Sequence, residues 1–287
     1  MHWIGNGYVI PDYTIFTGMN EITQITSLQN PLVKQISTLR EKSRERRKSG
    51  LFVLEGQQEL WLALDGGYIL HTVLLNREIC RKSDFLALLK DLDHKIPLAY
   101  VSREVYQKLA YRKTTEGILA LAHAKNHSLE QLKLYRDNPL ILVAQAPEKP
   151  GNIGALLRTA DAAHLDALII VDPKTDLYNP NTIRSSVGGI FTNTIALTDT
   201  ATAISFLKKR NIAIYCAALT ASKMYTEVDF TGPTALIMGT EADGLSEKWL
   251  KQSNQNIIIP MHGKLDSLNV SVSASILIFE ALRQRKV

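Results

Sequence analysis

Two side chains able to do chemistry stand six residues apart, where an apolar run gives way to a helical pattern. Asn152 and Arg158 fall in Lys149-Pro150-Gly151-Asn152-Ile153-Gly154-Ala155-Leu156-Leu157-Arg158-Thr159-Ala160, just after Pro139-Leu140-Ile141-Leu142-Val143-Ala144-Gln145-Ala146. The apolar run reads as a buried strand, and the stretch after it as a helix with Leu156, Leu157, Ala160 and Ala163 on one face. Pro150 and Gly151 break the strand, and Asn152 reads as the helix N-cap. A plain strand–loop–helix joint needs neither an amide nor a guanidinium. In open α/β sheets, however, ligands bind where strand carboxyl ends meet helix N-termini. The chemistry indicated is ligand capture at such a joint. Gly-x-Gly-x-x-Gly and the phosphate loop Gly-x4-Gly-Lys-Ser/Thr are both missing, so an NAD enzyme or a P-loop nucleotidase is unsupported.

Two later stretches share this character. One is Ala235-Leu236-Ile237-Met238-Gly239-Thr240-Glu241-Ala242-Asp243-Gly244-Leu245. The other is Ile257-Ile258-Ile259-Pro260-Met261-His262-Gly263, followed by Ser267-Leu268-Asn269-Val270-Ser271-Val272-Ser273-Ala274. With Pro150 to Ala160, and in this order, they resemble the three motifs of the SpoU (TrmH-type) RNA 2′-O-ribose methyltransferases of the SPOUT superfamily. The resemblance covers about Pro139 to Arg285.

The resemblance implies a C-terminal trefoil knot, S-adenosylmethionine as cofactor, and a homodimer formed through the knot region. Knots are rare by ordinary chain-threading rules. The matching cofactor positions are Gly239, Ile259 and Leu268, with Thr220 as a further member of the pocket. Main-chain groups there would hold the adenosine, with Gly239 allowing close backbone approach. Asn152 and Arg158 match the acceptor side, where Asn152 would position or catalyse. Arg158 is either a general base or a phosphate anchor. A guanidinium keeps its proton up to about pH 12, so a fork onto an RNA phosphate is the easier role. Glu241 matches the acidic position, and Ser267 and Asn269 flank Leu268. Ser271 and Ser273 would cap the last helix or line the pocket. Arg184-Ser185-Ser186-Val187-Gly188-Gly189 reads as an acceptor-side loop.

Regular alternation of elements must position these groups. Strands are predicted at Leu140–Ala146, Ala167–Val171, Thr194–Leu197, Ala213–Ala218, Ala235–Met238 and Asn256–Ile259. Helices are predicted at Ile153–His164, Ala201–Arg210, Glu247–Ser253 and Leu268–Arg283. This is an α/β domain, a mainly parallel sheet with helices on both faces, covering residues 139–287. Residues 19–124 alternate too and form a smaller α/β domain. Its strands are predicted at Leu51–Leu54, Ile69–Leu75, Pro97–Val101 and Gly117–Ala122, and its helices at Pro31–Lys48, Gln57–Leu64, Asp84–Leu92 and Arg103–Ala110. Its Asn30-Pro31 start, Phe52-Val53-Leu54-Glu55-Gly56 and Thr114-Thr115-Glu116-Gly117 resemble the L30e/L7Ae-like RNA-binding domain of these enzymes. Glu116 stands where the family usually has Gln.

Arg40 to Lys48 holds six basic and two acidic residues. It could be a solvated helix end. Beside a methyltransferase domain it reads better as an RNA-phosphate contact through Lys34, Arg44, Arg46, Arg47 and Lys48. Residues 125–138 read as a solvated linker. His123 and His127 have the spacing of helical metal ligands, but no carboxylate or Cys cluster accompanies them, so no metal is expected. Residues 1–18, before Met19, read as an extension or a misassigned start.

The chain has 287 residues, 45% of them hydrophobic, enough for two cores. A net charge of +5 suits a polyanionic partner. Two cysteines, no secretion signal and no apolar stretch of transmembrane length point to the cytoplasm. The expected activity is S-adenosylmethionine-dependent 2′-O-methylation of ribosomal RNA. The alternatives are transfer RNA as substrate, a base methyltransferase on the same fold, or a catalytically silent RNA-binding relative.

Overall fold

The computed structural model describes residues 23–80, 96–111, 116–220, 222–240, 243–264 and 267–285. The extension 1–18, the predicted helix Asp84–Leu92, Thr114, Thr115 and Glu241 lie outside them.

The first unit opens with β1 (Thr23–Ile25), α1 (Pro31–Glu41) and α2 (Ser43–Ser49). It continues with β2 (Leu51–Glu55), α3 (Gln57–Asp65), β3 (Leu70–Leu75), β4 (Leu98–Val101), α4 (Arg103–Leu109) and β5 (Ile118–His123). The sheet is mixed, in the order β1-β4-β3-β5-β2, with β5 antiparallel to both β2 and β3. The single helix predicted from Pro31 to Lys48 is two. Lys42 adopts an extended backbone (φ −112°, ψ 109°) between them. The break lets Arg46 fold back, donating from Nη1 to the Leu39 carbonyl at 2.5 Å and the Arg40 carbonyl at 3.2 Å. These are last-turn carbonyls of α1, which the helix itself leaves unpaired.

The second unit comprises β6 (Leu140–Gln145), α5 (Pro150–Ala162), β7 (Ala167–Val171), α6 (Pro180–Ser186), α7 (Gly189–Thr192), β8 (Ile195–Thr198) and α8 (Thr200–Lys209). It ends with β9 (Ala213–Ala217), β10 (Ser222–Met224), β11 (Thr234–Met238), α9 (Glu247–Gln252), β12 (Gln255–Ile258) and α10 (Val270–Arg285). The strand order is β10-β12-β9-β11-β6-β7-β8, and neighbouring strands pair in parallel. Strand alternation divides the core. Leu140, Leu142, Leu168, Ile170 and Leu236 join α5 and α10 on one face. Ile141, Val143, Ile169, Ala235 and Ile237 join α8 and α9 on the other. Both faces are covered, which is why β6 is an unbroken apolar run.

The two units share a core. Phe52 stacks on Tyr178 at 4.3 Å between centroids, and the Tyr68 edge meets Phe191 at 5.2 Å. The segment read as a solvated linker is instead packed down, with Leu129 and Leu132 buried against the second sheet. Its His127 places Nε2 2.8 Å from the Tyr178 hydroxyl and Nδ1 3.3 Å from the Ile195 carbonyl. Burial pushes the His127 imidazole down to about 4.

Candidate active site at the carboxyl edge of the parallel sheet

Helix α5 starts one turn earlier than its sequence suggests. Pro150 occupies the first helical position, where its missing N–H costs nothing, and Lys149 is the cap residue. Asn152 is therefore inside the first turn and does not cap α5. Its Oδ1 instead accepts from Asn269 Nδ2 at 3.1 Å. Asn269 is the cap of α10: its Oδ1 accepts from the Ser271 amide at 2.9 Å and the Ser271 hydroxyl at 2.6 Å. One amide thus closes the start of α10 and ties it to the start of α5. One helical turn on, Ser275 donates to the Ser271 carbonyl at 2.8 Å. That leaves Thr159 to donate to Ser275 across 3.0 Å, so the two helices stay bonded along their length.

Beside this joint lies a cavity of about 190 Å³. Its walls include Ala146, Pro147, Leu156 and Val270, with Asn152, Gly239 and Thr240 at its polar side. Glu148 and Lys149 also line it. The Glu148 carboxyl is held below its ordinary range by a hydrogen bond from Lys174, Nζ to Oε1 at 2.6 Å. Gly239 has a local reason to be glycine. A Cβ there would stand 2.3 Å from the Gly244 carbonyl carbon, because Thr240 and Gly244 close the loop by exchanging backbone bonds of 2.9 and 3.2 Å.

Of the residues expected to hold a cofactor, Gly239 lines the cavity, whereas Ile259, Leu268 and Thr220 are not among its lining residues. They gather around the same edge nonetheless. Ile259 follows β12, Gly239 follows β11 and Thr220 lies three residues past β9, all carboxyl ends of adjacent parallel strands. The Thr220 carbonyl accepts from Asn256 Nδ2 at 3.2 Å. Leu268 immediately precedes Asn269 and is 39% exposed; Ser267 is exposed as well. Lys149, Thr240 and Val270 fell within the quoted motifs without an assigned role, and Pro147 and Glu148 lie between the strand and the first motif and were not singled out. A cavity wall is a property of the loops, and no residue type announces it.

Arg158 is exposed on α5 and makes no ion pair among the described residues. A structural salt bridge therefore does not explain it there. Gly154, between Asn152 and Arg158, serves packing. A Cβ on it would lie 1.9 Å from Ser185 Oγ, so only glycine lets α6 approach α5 so closely. Arg184 and Ser185, read as part of a loop, are on α6, which ends at Val187 in the left-handed region (φ 50°).

Among the expected RNA contacts, Lys34, Arg44, Arg47 and Lys48 are exposed. Arg46 is not: its side chain is 4% exposed and pairs with Asp176 of the second unit, Nε to Oδ2 at 2.5 Å. It is a strut between the units and is withdrawn from the phosphate-contacting set. Glu116 also has a structural task, accepting from the Gln57 amide at the start of α3 at 2.5 Å. His123 and His127 do not share a helix, and among the described residues no cluster of His, Cys, Asp and Glu suits a metal ion.

Comparison with known proteins places this arrangement. The model of the SpoU rRNA Methylase family matches residues 139–279, and that of the MRM3-like substrate binding domain matches residues 30–120. The chain is 30% identical over 256 residues to the 23S rRNA (guanosine(2553)-2′-O)-methyltransferase RlmP of Bacillus subtilis, covering 89% of this chain and 98% of that protein. A crystal structure of an RNA 2′-O ribose methyltransferase aligns with a TM-score of 0.80 and 35% identity, over 92% of this chain and all of that one. The AdoMet-bound rRNA methyltransferase from Sinorhizobium meliloti aligns with a TM-score of 0.84 and 25% identity, over 92% of this chain and 98% of the other.

Proposed function

The chain belongs to the SpoU rRNA methylase family, and we propose that it methylates the 2′-hydroxyl of a ribose in ribosomal RNA with S-adenosylmethionine as donor. The observation that carries this reading is the Asn152–Asn269 bond beside the cavity. It brings the first and third sequence motifs to within hydrogen-bond distance at the edge where Gly239 of the second also lies.

The cavity suits the donor's chemistry. Its apolar walls fit the faces of a purine, and Asn152 and the Gly239–Thr240 turn line its edge. The Glu148 carboxylate, paired with Lys174, places a negative charge at the wall of a site that must accept a sulfonium. When bound, S-adenosylmethionine supplies an electrophilic methyl group. The chain's own task is to place a ribose hydroxyl in line with it, and positioning of this kind supplies much of a rate enhancement. Asn152, held by Asn269, fixes the acceptor side. Arg158, exposed and without an ion pair among the described residues, grips an RNA phosphate by its planar fork and stabilises charge developing on the ribose oxygen. Ser267 belongs to the same acceptor side, and Ile259, Leu268 and Thr220 to the donor side; Glu241, outside the described residues, keeps the acidic role its motif implies. Lys34, Arg44, Arg47 and Lys48 supply phosphate contacts from the first unit.

A homodimer built on α10 accompanies this reading. Val272 and Phe279, seven residues apart and so on one helix face, are 47% and 50% exposed, with Leu268 at 39% just before them. Apolar side chains exposed along one helix suit a second copy of the chain. The cytoplasm is the compartment proposed, since both cysteines are buried and stand outside any disulfide and no described helix is long and apolar enough to cross a membrane.

The test is mass spectrometry of ribosomal and transfer RNA from a deletion strain. One 2′-O-methyl missing from ribosomal RNA is expected. A loss confined to transfer RNA would move the substrate. A lost base methyl would move the chemistry, and unchanged RNA would leave a silent relative.

A further inference from the structure

A second feature lies between the two units and rests on the reading of the chain as an RNA-modifying enzyme. A small cleft there is lined by Arg40, Glu55 and Tyr111 from the first unit and by Ile183 and Arg184 from the second. Tyr111 is 44% exposed, and its amide donates to Glu55 Oε2 at 2.6 Å. Two guanidiniums flank its ring, Arg40 at 5.6 Å and Arg184 at 5.1 Å from the centroid. Arg40 donates from Nη1 to the Lys108 carbonyl at 3.1 Å, while its Nε is buried with no hydrogen-bond partner among the described residues. Arg184 donates from Nη2 to Asn181 Oδ1 at 2.7 Å. Neither arginine makes an ion pair among the described residues.

Two cations converging on one open aromatic ring, with a buried guanidine N–H unmet, form an incomplete set. Single-stranded nucleic acid completes such a set: a base stacks on the ring, and phosphates meet the guanidinium forks. The position fits. Arg40 lies in the last turn of the helix that precedes the exposed Arg44, Arg47 and Lys48. At the other end, the Asn181 held by Arg184 lies beside Gly151, whose added Cβ would be 3.9 Å from Asn181 Nδ2. Gly151 is one residue from Asn152. The cleft therefore bridges the basic helix and the acceptor side of the cavity.

We propose that the mouth of the Arg40–Tyr111–Arg184 cleft, whose interior of about 30 Å³ admits no base, receives an unpaired nucleotide flanking the methylated one, its base on the exposed Tyr111 ring and its phosphates on the two arginines. The experiment uses the full chain and an in vitro transcript of 23S ribosomal RNA, with filter binding, single-turnover methyl transfer, S-adenosylmethionine titration and melting curves. Tyr111→Ala is expected to weaken transcript binding by about 10- to 100-fold, the usual worth of a stacked base. Tyr111→Phe, which keeps the ring, restores it. Arg40→Gln and Arg184→Gln each lower the slope of log affinity against log salt by about one, and S-adenosylmethionine affinity stays at the wild-type value. Transcript binding by Tyr111→Ala within about twofold of wild type overturns the proposal, since no stacked base is then lost. So does a lowered melting temperature with parallel loss of both ligands, which would make the cluster a domain staple. If the wild type itself neither binds nor methylates ribosomal or transfer RNA, the functional reading fails before the cleft is in question.

Discussion

Replacing Arg46 separates a buried strut from a phosphate contact. Its guanidinium is 4% exposed, and the Asp176 carboxylate it meets at 2.5 Å is 12% exposed. It also holds the Leu39 and Arg40 carbonyls at the end of α1. Arg46→Ala strands a largely buried carboxylate, which among the described residues keeps only the Tyr178 amide at 3.0 Å, and two helix-end carbonyls. Removing one partner of a buried pair costs about 3–5 kcal/mol. At about 2–4 °C per kcal/mol for a chain approaching this size, the melting temperature falls by about 6–20 °C. Asp176→Asn with Arg46→Met in a double-mutant cycle returns part of that loss, because no lone charge then remains. The assay pairs calorimetric melting with the salt dependence of RNA binding at a temperature where the variant is folded. The strut predicts a large drop in melting temperature and an unchanged salt slope, whereas Arg44→Ala or Arg47→Ala lowers the slope with little effect on melting. A drop below about 2 °C together with a slope reduced by about one would refute the buried role and return Arg46 to the RNA surface.

Arg158→Lys and Arg158→Ala should both reduce single-turnover methyl transfer by at least about 100-fold, as lost positioning would, with S-adenosylmethionine affinity and melting unchanged; near-normal transfer by the Lys variant would exclude the bidentate grip. Gly239→Ala should force open the Thr240–Gly244 closure and abolish S-adenosylmethionine binding in calorimetry; wild-type affinity would show that the loop yields without cost. The depressed imidazole of His127 makes the unfolded chain the better proton acceptor between its ordinary pKa of 6.5 and about 4. Its contribution is therefore complete above about pH 6.5 and falls away as pH drops toward 4, by up to about 3 kcal/mol. Urea midpoints of His127→Gln should decline correspondingly less between pH 7 and pH 4.5, and an equal decline in both proteins would count against burial as the cause.

The second unit was largely legible because both faces of its sheet are covered. Strands such as Leu140–Gln145 and Ala167–Val171 are then continuous apolar runs that admit no other assignment. What escaped was short or set by partners distant in sequence. The helices Pro180–Ser186 and Gly189–Thr192 are too brief to show a period. The break at Lys42 exists because Arg46 must turn inward to reach Asp176, 130 residues away. His127 looked solvated from its polar neighbours, yet Tyr178 and Ile195 enclose it. The motifs pointed to the edge where Asn152, Gly239 and Asn269 lie, but not to the atoms that meet there, and Ile259, Leu268 and Thr220 do not line the cavity. Asn152 read as a cap because Asn is a good cap, while Pro150 had already started the helix and left the amide for Asn269.

On the proposed reading, the short helix α6 is what couples RNA contacts of the first unit to the joint on the second. Ahead of it lie Asp176, the partner of Arg46, and Tyr178, on which Phe52 stacks. Along it, Ile183 and Arg184 face the first unit across the cleft. Its other side presses Ser185 into the space left by Gly154, while Asn181 stands beside Gly151. One helix thus touches the inter-unit contacts and the first turn of α5, where Asn152 sits. A close-packed contact of this kind has no slack to absorb a displacement. Enlarging Gly154 would therefore disturb the inter-unit surface and the acceptor side together, although the glycine touches neither RNA nor donor. That dual constraint accounts for a glycine in the interior of α5, where one ordinarily costs about 1 kcal/mol.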